Sequence, residues 1–365
     1  MNSDVKHSIG GGRIIGLDML RIALALLIFM FHSQLHFHCS YGKLNSFVSM
    51  GAIAMTGFIM LSGYVLWSTY STKDIWTIGN MKSFYIKRLI TILPLYYSII
   101  FLRNVYQLCT GLLPISDEAF LFPVEIFVTQ STFFSLFRVS HNGGTWFISC
   151  ILICYAIYPF LQHLLLQMTE KTGYKFLGVL CAILLYAPIV GNYFQLEWVT
   201  IYANPFYRLI EFAIGMILAQ IISAHKDMLC RFSNVYTLLL TTFLLIILVS
   251  VAREIDTRPH DYMLFNWIAL PCFSALIMIL STMKFQQLQQ SKVIKYLSGI
   301  SFTFFLCQVL PLWKYSRHIC AYINSDTNIV RIIISFTLCV LGAVVIHECI
   351  EKPASRCLKM KFLRQ

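Results

Sequence analysis

"GLDMLRIALALLIFMFH", residues 16–32, decides what kind of protein this is. Apart from Asp18, Arg21 and His32 the stretch is apolar, as a helix crossing lipid must be; about 20 residues rising 1.5 Å each cover a hydrocarbon core of ~30 Å. The run extends over about 14–32, and nine more follow at about 46–69, 89–110, 145–167, 176–191, 203–223, 235–252, 262–281, 296–313 and 329–350. Only 12% of the 365 residues are charged and 58% are hydrophobic, against roughly 25% charged in an ordinary soluble domain. The expected fold is therefore an all-α, polytopic membrane bundle of about ten transmembrane helices. An eleventh apolar stretch, 118–137, contains Glu125 and Gln130 and is read as interfacial or re-entrant.

The net charge of +12 resembles that of a nucleic-acid binder, but its distribution argues otherwise. With the N-terminus inside and ten spans, the basic residues outside are Lys43, Arg103, Arg138, Arg253, Arg258, Lys314 and Arg317, while Arg21, Arg208 and Arg331 fall within spans. All other Lys and Arg lie on the inner side, as the positive-inside rule expects. Both termini are thus expected in the cytoplasm, with 1–13 and 351–365 as tails of one domain covering 1–365. The polar intervals, 70–88 and 282–295 inside and 191–201, 253–261 and 314–328 outside, are too short to fold separately. Any chemistry must be built between helices. The first apolar run is too long for a signal peptide and lacks a small-residue cleavage site, so it is expected to remain as a span.

The 12 cysteines lie mostly inside spans, with no Cys-x-x-Cys pair and no metal-ligand spacing, and are read as small apolar fillers. Cys39 and Cys320 fall in or near outer loops, where spacing alone does not decide whether they pair. His32, His36 and His38 lack a clear further ligand for zinc, so no metal is expected.

Ionisable groups inside spans are costly and are functional candidates by default. Here they are Asp18, Arg21, His32, Arg208, Glu211, Arg331 and His347. Asp18 and Arg21 are three residues apart, hence neighbours on one helical face. From Arg21 to His32, eleven steps of about 100° come to roughly 1,100°, three whole turns, so both side chains share a face about 16 Å apart along the axis. One stripe of the first helix is polar from its inner third to its outer end.

"LDMLRIALALLIFMFH" resembles the first-helix signature of the acyltransferase-3 family of integral membrane acyltransferases: Arg or Lys, ten residues, then His, with an Asp shortly before. Further segments are similar to the family's motifs in order along nearly the whole chain. "GFIMLSGYVL" (57–66) matches the second-helix Phe-Phe-x-x-Ser-Gly motif at Phe58, Ser62 and Gly63, and "FYIKRLITILPLYY" (84–97) resembles the basic start of the third helix through Lys87, Arg88 and Pro94. "GTWFISCILICYAIYPFL" (144–161) resembles the Trp-to-Pro helix of the smaller, stand-alone members, "NPFYRLIEFAIGMILA" (204–219) the Arg-x-x-x-Phe-x-x-Gly helix through Arg208, Phe212 and Gly215, and "EKP" (351–353) the usual terminus. There are departures. Thr91 stands where a further Arg is usual and Ile151 where larger relatives carry Glu. Gln308, in "LSGISFTFFLCQ", stands where a second membrane His is usual, so a two-histidine scheme does not carry over.

The resemblance implies transfer of an acyl group, usually acetyl, from cytoplasmic acyl-coenzyme A to a hydroxyl of a cell-envelope polysaccharide, such as an exopolysaccharide or O-antigen, or of its lipid-linked precursor, at the inner (cytoplasmic) membrane. Acetyl-coenzyme A is then a co-substrate, and no cofactor stays bound. Lys87, Arg88 and Arg21 are the candidates for the donor's phosphates. A hydroxyl needs a base near pH 7, and neutral histidine suits that task. His32 is therefore the candidate general base, or an acyl relay, with Arg21 stabilising negative charge. Asp18, Ser62, Gly63, His141, Trp146 and Arg208 are candidates for contact with substrate. Ser62 is also a candidate nucleophile, although small residues in spans more often let helices approach closely. The alternative function is a transporter or flippase of a glycan or lipid-linked intermediate, which also lines a path with buried charge; the chain has no internal symmetry of the kind such proteins carry.

Overall fold

The computed structural model describes residues 13–112, 115–132, 144–256, 262–310 and 312–363. Among these, helix is the only regular structure. The main helices are α1 (Ile15–Phe37), α2 (Ala54–Tyr70), α3 (Ile78–Thr110), α4 (Ile115–Ile126), α5 (Trp146–Gln167), α6 (Glu170–Tyr193), α7 (Pro205–Ala224), α8 (Val235–Ile255), α9 (Asn266–Thr282), α10 (Lys292–Cys307), α11 (Leu312–Tyr322), α12 (Asn328–Ile346) and α13 (Lys352–Phe362). Among the described residues eight helical stretches are long and apolar enough to cross a membrane, α12 and α13 counting as one through Asn328–Phe362. This is a multi-pass membrane protein.

Two of the ten expected spans take another form. The run at 262–281 becomes α9, a 17-residue helix, shorter than the ~20 residues a straight crossing needs. The run at 296–313 is broken: α10 and α11 meet at 85°. The described part of the C-terminal segment is largely helical. A π turn at His347–Glu351 joins α12 to α13, and Ser355 on α13 donates to the Ile90 carbonyl of α3 at 3.1 Å. In the eleventh apolar stretch the described part is α4 and the turn that follows it; Glu125 there is buried, and its carboxylate accepts from Asn104 on α3 at 3.0 Å.

Burial separates the centre of the bundle from its lipid-facing rim. The most apolar window of the α2 span is 78% buried inside the protein and that of α7 is 61% buried, whereas α8, the most apolar of the single helices, is only 11% buried. Two glycines bring α2 and α7 together. A Cβ on Gly63 lies 2.0 Å from the Phe212 carbonyl oxygen, and one on Gly215 lies 2.0 Å from that of Met60. Only hydrogens fit, so the two backbones touch; small residues do this wherever lipid supplies no hydrophobic drive between helices. Prolines inside spans need outside help with the carbonyl four residues back. Pro188 in α6 leaves the Leu184 carbonyl without a ladder partner, and the Tyr207 hydroxyl of α7 donates to it at 2.6 Å.

The helices define two ends. The near end, where α1 starts, gathers the close of α2, the start of α3, the start of α10 and α13; the far end, where α1 finishes, gathers the start of α7, the close of α10 and α11. Along its length α1 packs against α10.

Candidate active site

At the near end Asp18 is buried and collects donors from three directions. Arg13 binds it through Nε at 2.5 Å and Nη2 at 3.1 Å, the Ser298 hydroxyl of α10 donates at 2.6 Å, and Arg21 Nη1 stands 3.6 Å away. Arg21, half-buried, also donates to Ser298 Oγ at 3.3 Å. A buried carboxylate costs several kcal/mol unless matched, and here two guanidiniums and a hydroxyl match it. Arg13 is the partner that sequence reading missed, having taken it for a topology charge; its five-residue offset from Asp18 is no helical neighbour spacing, because Arg13 precedes the helix.

Arg88 joins this end from α3. Its Nη2 donates to the Tyr70 hydroxyl at 3.2 Å, and its guanidinium carbon lies 5.6 Å from the Tyr70 ring centre and 5.9 Å from that of Tyr155. Lys87, next to Arg88 in the chain, is exposed, and its carbonyl accepts from the hydroxyl of Thr91 at 2.7 Å.

At the far end His32 faces the same neighbour as Arg21 does. Its Nδ1 is 2.7 Å from Gln308 Oε1, at the close of α10. Ser298 and Gln308 are ten residues apart, roughly 15 Å along a helix, so the seam between α1 and α10 carries Arg21 at one end and His32 at the other. The three-turn register read from the sequence is thereby matched by contacts with a single facing helix. Gln308 Nε2 donates to the Phe304 carbonyl at 3.3 Å. That bond assigns the amide: its oxygen, with no hydrogen to give, must be what faces His32. Nδ1 therefore carries the imidazole proton when the ring is neutral, and Nε2 keeps its lone pair.

His32 lines a cavity of about 350 Å³ with His36, Arg103, Tyr106, Gln308, Trp313, Lys314 and Arg317 around it. The volume lies at the small end of ligand sites. The 85° break before α11 brings Trp313, Lys314 and Arg317 over the end of α1. The Trp313 indole nitrogen donates to the Gln308 carbonyl at 3.1 Å, and its ring stacks on Phe29 with centres 6.0 Å apart. None of the residues contributed by α11 is signalled by periodicity, because the break folds a stretch that reads as loop back onto the site.

The remaining candidates lie elsewhere. Asn204 caps α7 by accepting from the amides of Phe206 and Tyr207, and Pro205 opens the first turn, which sets Arg208 inside the bundle. Arg208 and Glu211 are fully buried, with Nη1 2.9 and 2.8 Å from the two carboxylate oxygens. Thr56 donates to the same carboxylate at 2.8 Å and Asn266 at 3.3 Å. Trp146, also buried, lies over the guanidinium at 5.3 Å and against Tyr202 with centres 4.8 Å apart. Arg208 and Trp146 therefore belong to one enclosed ionic cluster, apart from the residues lining the His32 cavity. Ser62 is half-buried on α2, and Gly63 forms the crossing with α7. His141 falls outside the described residues. Cys39 and Cys320 are both buried and both free thiols. Among the described residues no group of three or more His, Cys, Asp or Glu is arranged to hold a metal.

A family described as an acyltransferase domain matches residues 14–348. No curated protein and no solved structure matches the chain.

Proposed function

We propose, because the chain belongs to the acyltransferase-3 family of membrane acyltransferases, that it carries an acyl group, acetyl in the first instance, from acyl-coenzyme A at the near, cytoplasmic end to a hydroxyl of a cell-envelope glycan or its lipid-linked precursor at the far end. The observation that carries this reading is the contact of His32 Nδ1 with Gln308 Oε1 beside an open cavity; because Gln308 Nε2 donates to Phe304, that contact puts the proton of the neutral ring on Nδ1. Nε2 is then the general base. It takes the proton of the acceptor hydroxyl as the oxygen attacks the thioester carbonyl carbon. The carbon–sulfur bond breaks, the acyl group leaves on the acceptor oxygen, and the coenzyme thiolate recovers the proton from the imidazolium.

Arg21, Arg88 and Lys87 supply the positive charge that a phosphate-bearing donor needs at the cytoplasmic end, Arg88 being held over Tyr70 for that purpose. Asp18 fixes Arg21 through the Ser298 bridge without neutralising the whole group, since Arg13 takes the bidentate share. The distribution of Lys and Arg supports an orientation with both termini cytoplasmic, and the inner membrane is what the resemblance to the family implies.

The test is transfer of radiolabelled acetyl from acetyl-coenzyme A to envelope glycan by the protein in vesicles. Loss of a general base costs about 10²–10⁴ in rate, so His32→Ala is expected to fall by that factor at unchanged thermal stability. Full activity in His32→Ala overturns the assignment, and movement of glycan across the vesicle without label supports a transporter instead.

A further inference from the structure

We propose that the acceptor beside His32 is an anionic glycan, held by Lys314 and Arg317 through the oxygens of a carboxylate or a phosphate. The inference rests on the reading of His32 as the base and names the substrate class of that same cavity.

The first support is a charge count that topology makes expensive. Cations are depleted on the outer side of a membrane protein, and few of the 28 Lys and Arg fall there. Yet three of them, Arg103 from α3 and Lys314 and Arg317 from α11, converge on one cavity whose lining includes no Asp or Glu. Chance placement on a solvated rim would scatter them, as Lys43 is scattered.

A second support is the lack of local compensation. Several cations are matched by a carboxylate, Arg13 by Asp18, Arg208 by Glu211, Arg331 by Asp326 and Lys352 by Glu348, and the unmatched ones elsewhere, such as Lys43 and Lys87, are not gathered with other cations around a cavity. Among the described residues neither Lys314 nor Arg317 has a carboxylate partner. Arg317 is anchored at Nη2 by the His36 carbonyl, which orients the group and leaves the rest of a five-donor fork for another acceptor. Lys314 sits 5.7 Å from the centre of the Tyr106 ring. The two cations are three residues apart on α11, hence on one face.

The aromatic part of the lining completes the match. Trp313 and Tyr106 offer flat apolar surface beside hydrogen-bonding groups, a combination that suits a sugar ring, while the cations suit the charge it bears. An anion seated between Lys314 and Arg317 also orients the sugar, so that one hydroxyl of the same or the adjoining residue faces Nε2.

The experiment uses the full chain in vesicles of neutral phospholipid and reads equilibrium binding of three radiolabelled probes. They are a glucuronate-containing oligosaccharide, the same oligosaccharide after its carboxyls are reduced to alcohols, and a neutral disaccharide carried on a polyprenyl pyrophosphate. At least one anionic probe is expected to bind tenfold or more tightly than the reduced oligosaccharide, and to lose tenfold or more in Lys314→Gln/Arg317→Gln but not in Lys43→Gln. Preference for the first probe assigns the anion to a carboxylate, and preference for the third assigns it to the lipid-linked phosphate. The inference is overturned if neither anionic probe outbinds the reduced one, a comparison that needs no variant, or if the double variant binds them as the parent does. His32→Ala separates the two levels. Retained transfer in that variant defeats the base assignment while leaving the binding result intact, whereas lost transfer with retained, charge-dependent binding supports both.

Discussion

Gly63→Ala separates a packing role from a substrate role at the second-helix Ser-Gly motif. The added Cβ would sit 2.0 Å from the Phe212 carbonyl oxygen, 3.0 Å from its carbon and 3.2 Å from the Met216 nitrogen. Carbon and carbonyl oxygen settle no closer than about 3.3 Å, so α2 and α7 must part locally by roughly 1.3 Å. Both partners are backbone in regular helix, and neither rotates away as a side chain would. A gap of 0.5–1 Å already forfeits about a quarter to a half of a dispersion contact, and α2 is the most enclosed span in the bundle. The cost belongs at the upper end of overpacking penalties, about 3 kcal/mol. Thermal unfolding in detergent is expected to fall by roughly 4 °C, with Gly215→Ala behaving alike because its Cβ would meet the Met60 carbonyl. Gly299→Ala is the internal control: that helical glycine has nothing within 4 Å of a built Cβ, and alanine there gains about 0.5–1 kcal/mol from propensity. An unchanged midpoint in Gly63→Ala together with lost transfer would move Gly63 into the substrate site and refute the packing argument.

Gln308→Leu removes the acceptor that holds the His32 proton on Nδ1; a hydrogen bond worth about 1 kcal/mol corresponds to a five- to tenfold slower transfer, and an unchanged rate would show that Gln308 does not set the tautomer. Glu211→Leu strands the Arg208 guanidinium in the core, at a cost of about 3–5 kcal/mol, read as loss of folded protein from membranes. Combining it with Arg208→Met should recover most of that loss, and a double variant as unstable as the single one would show that the cluster is held by something besides the ion pair. The Arg331 guanidinium, at 2.7 and 2.5 Å from the two Asp326 oxygens, lowers the carboxyl below its ordinary value. A depressed carboxyl stabilises the fold above its ordinary value, about 4, and loses that contribution as pH falls through the depressed one. The thermal midpoints of the parent and Asp326→Asn should therefore differ at pH 7 and draw together as pH falls below the ordinary carboxyl range; a difference that does not narrow in acid would place the effect elsewhere.

Much of the architecture needs nothing beyond the chain itself. Segments long and apolar enough to cross lipid must be helical there, since every backbone amide and carbonyl has to be paired within the segment, so the all-helical class and the order of most spans were legible from composition and run length, whereas the short helix at Asn266–Thr282 and the break after Cys307 were not. The 3.6-residue period likewise fixed the common face of Arg21 and His32 before any neighbour was known. What periodicity does not carry is partnership between segments distant in sequence. Ser298 and Gln308 meet α1 across some 280 residues, and Arg13 reaches Asp18 from outside the helix. Tertiary packing also decided the candidates of double meaning: Arg208 is spent on Glu211, Gly63 on the crossing with α7, and Trp146 on the guanidinium it covers. The cavity itself depends on a break in what reads as one continuous span, which turns α11 back over the end of α1. Local hydrophobicity registers that stretch only as apolar, because the angle at which two helices meet is set by what they pack against.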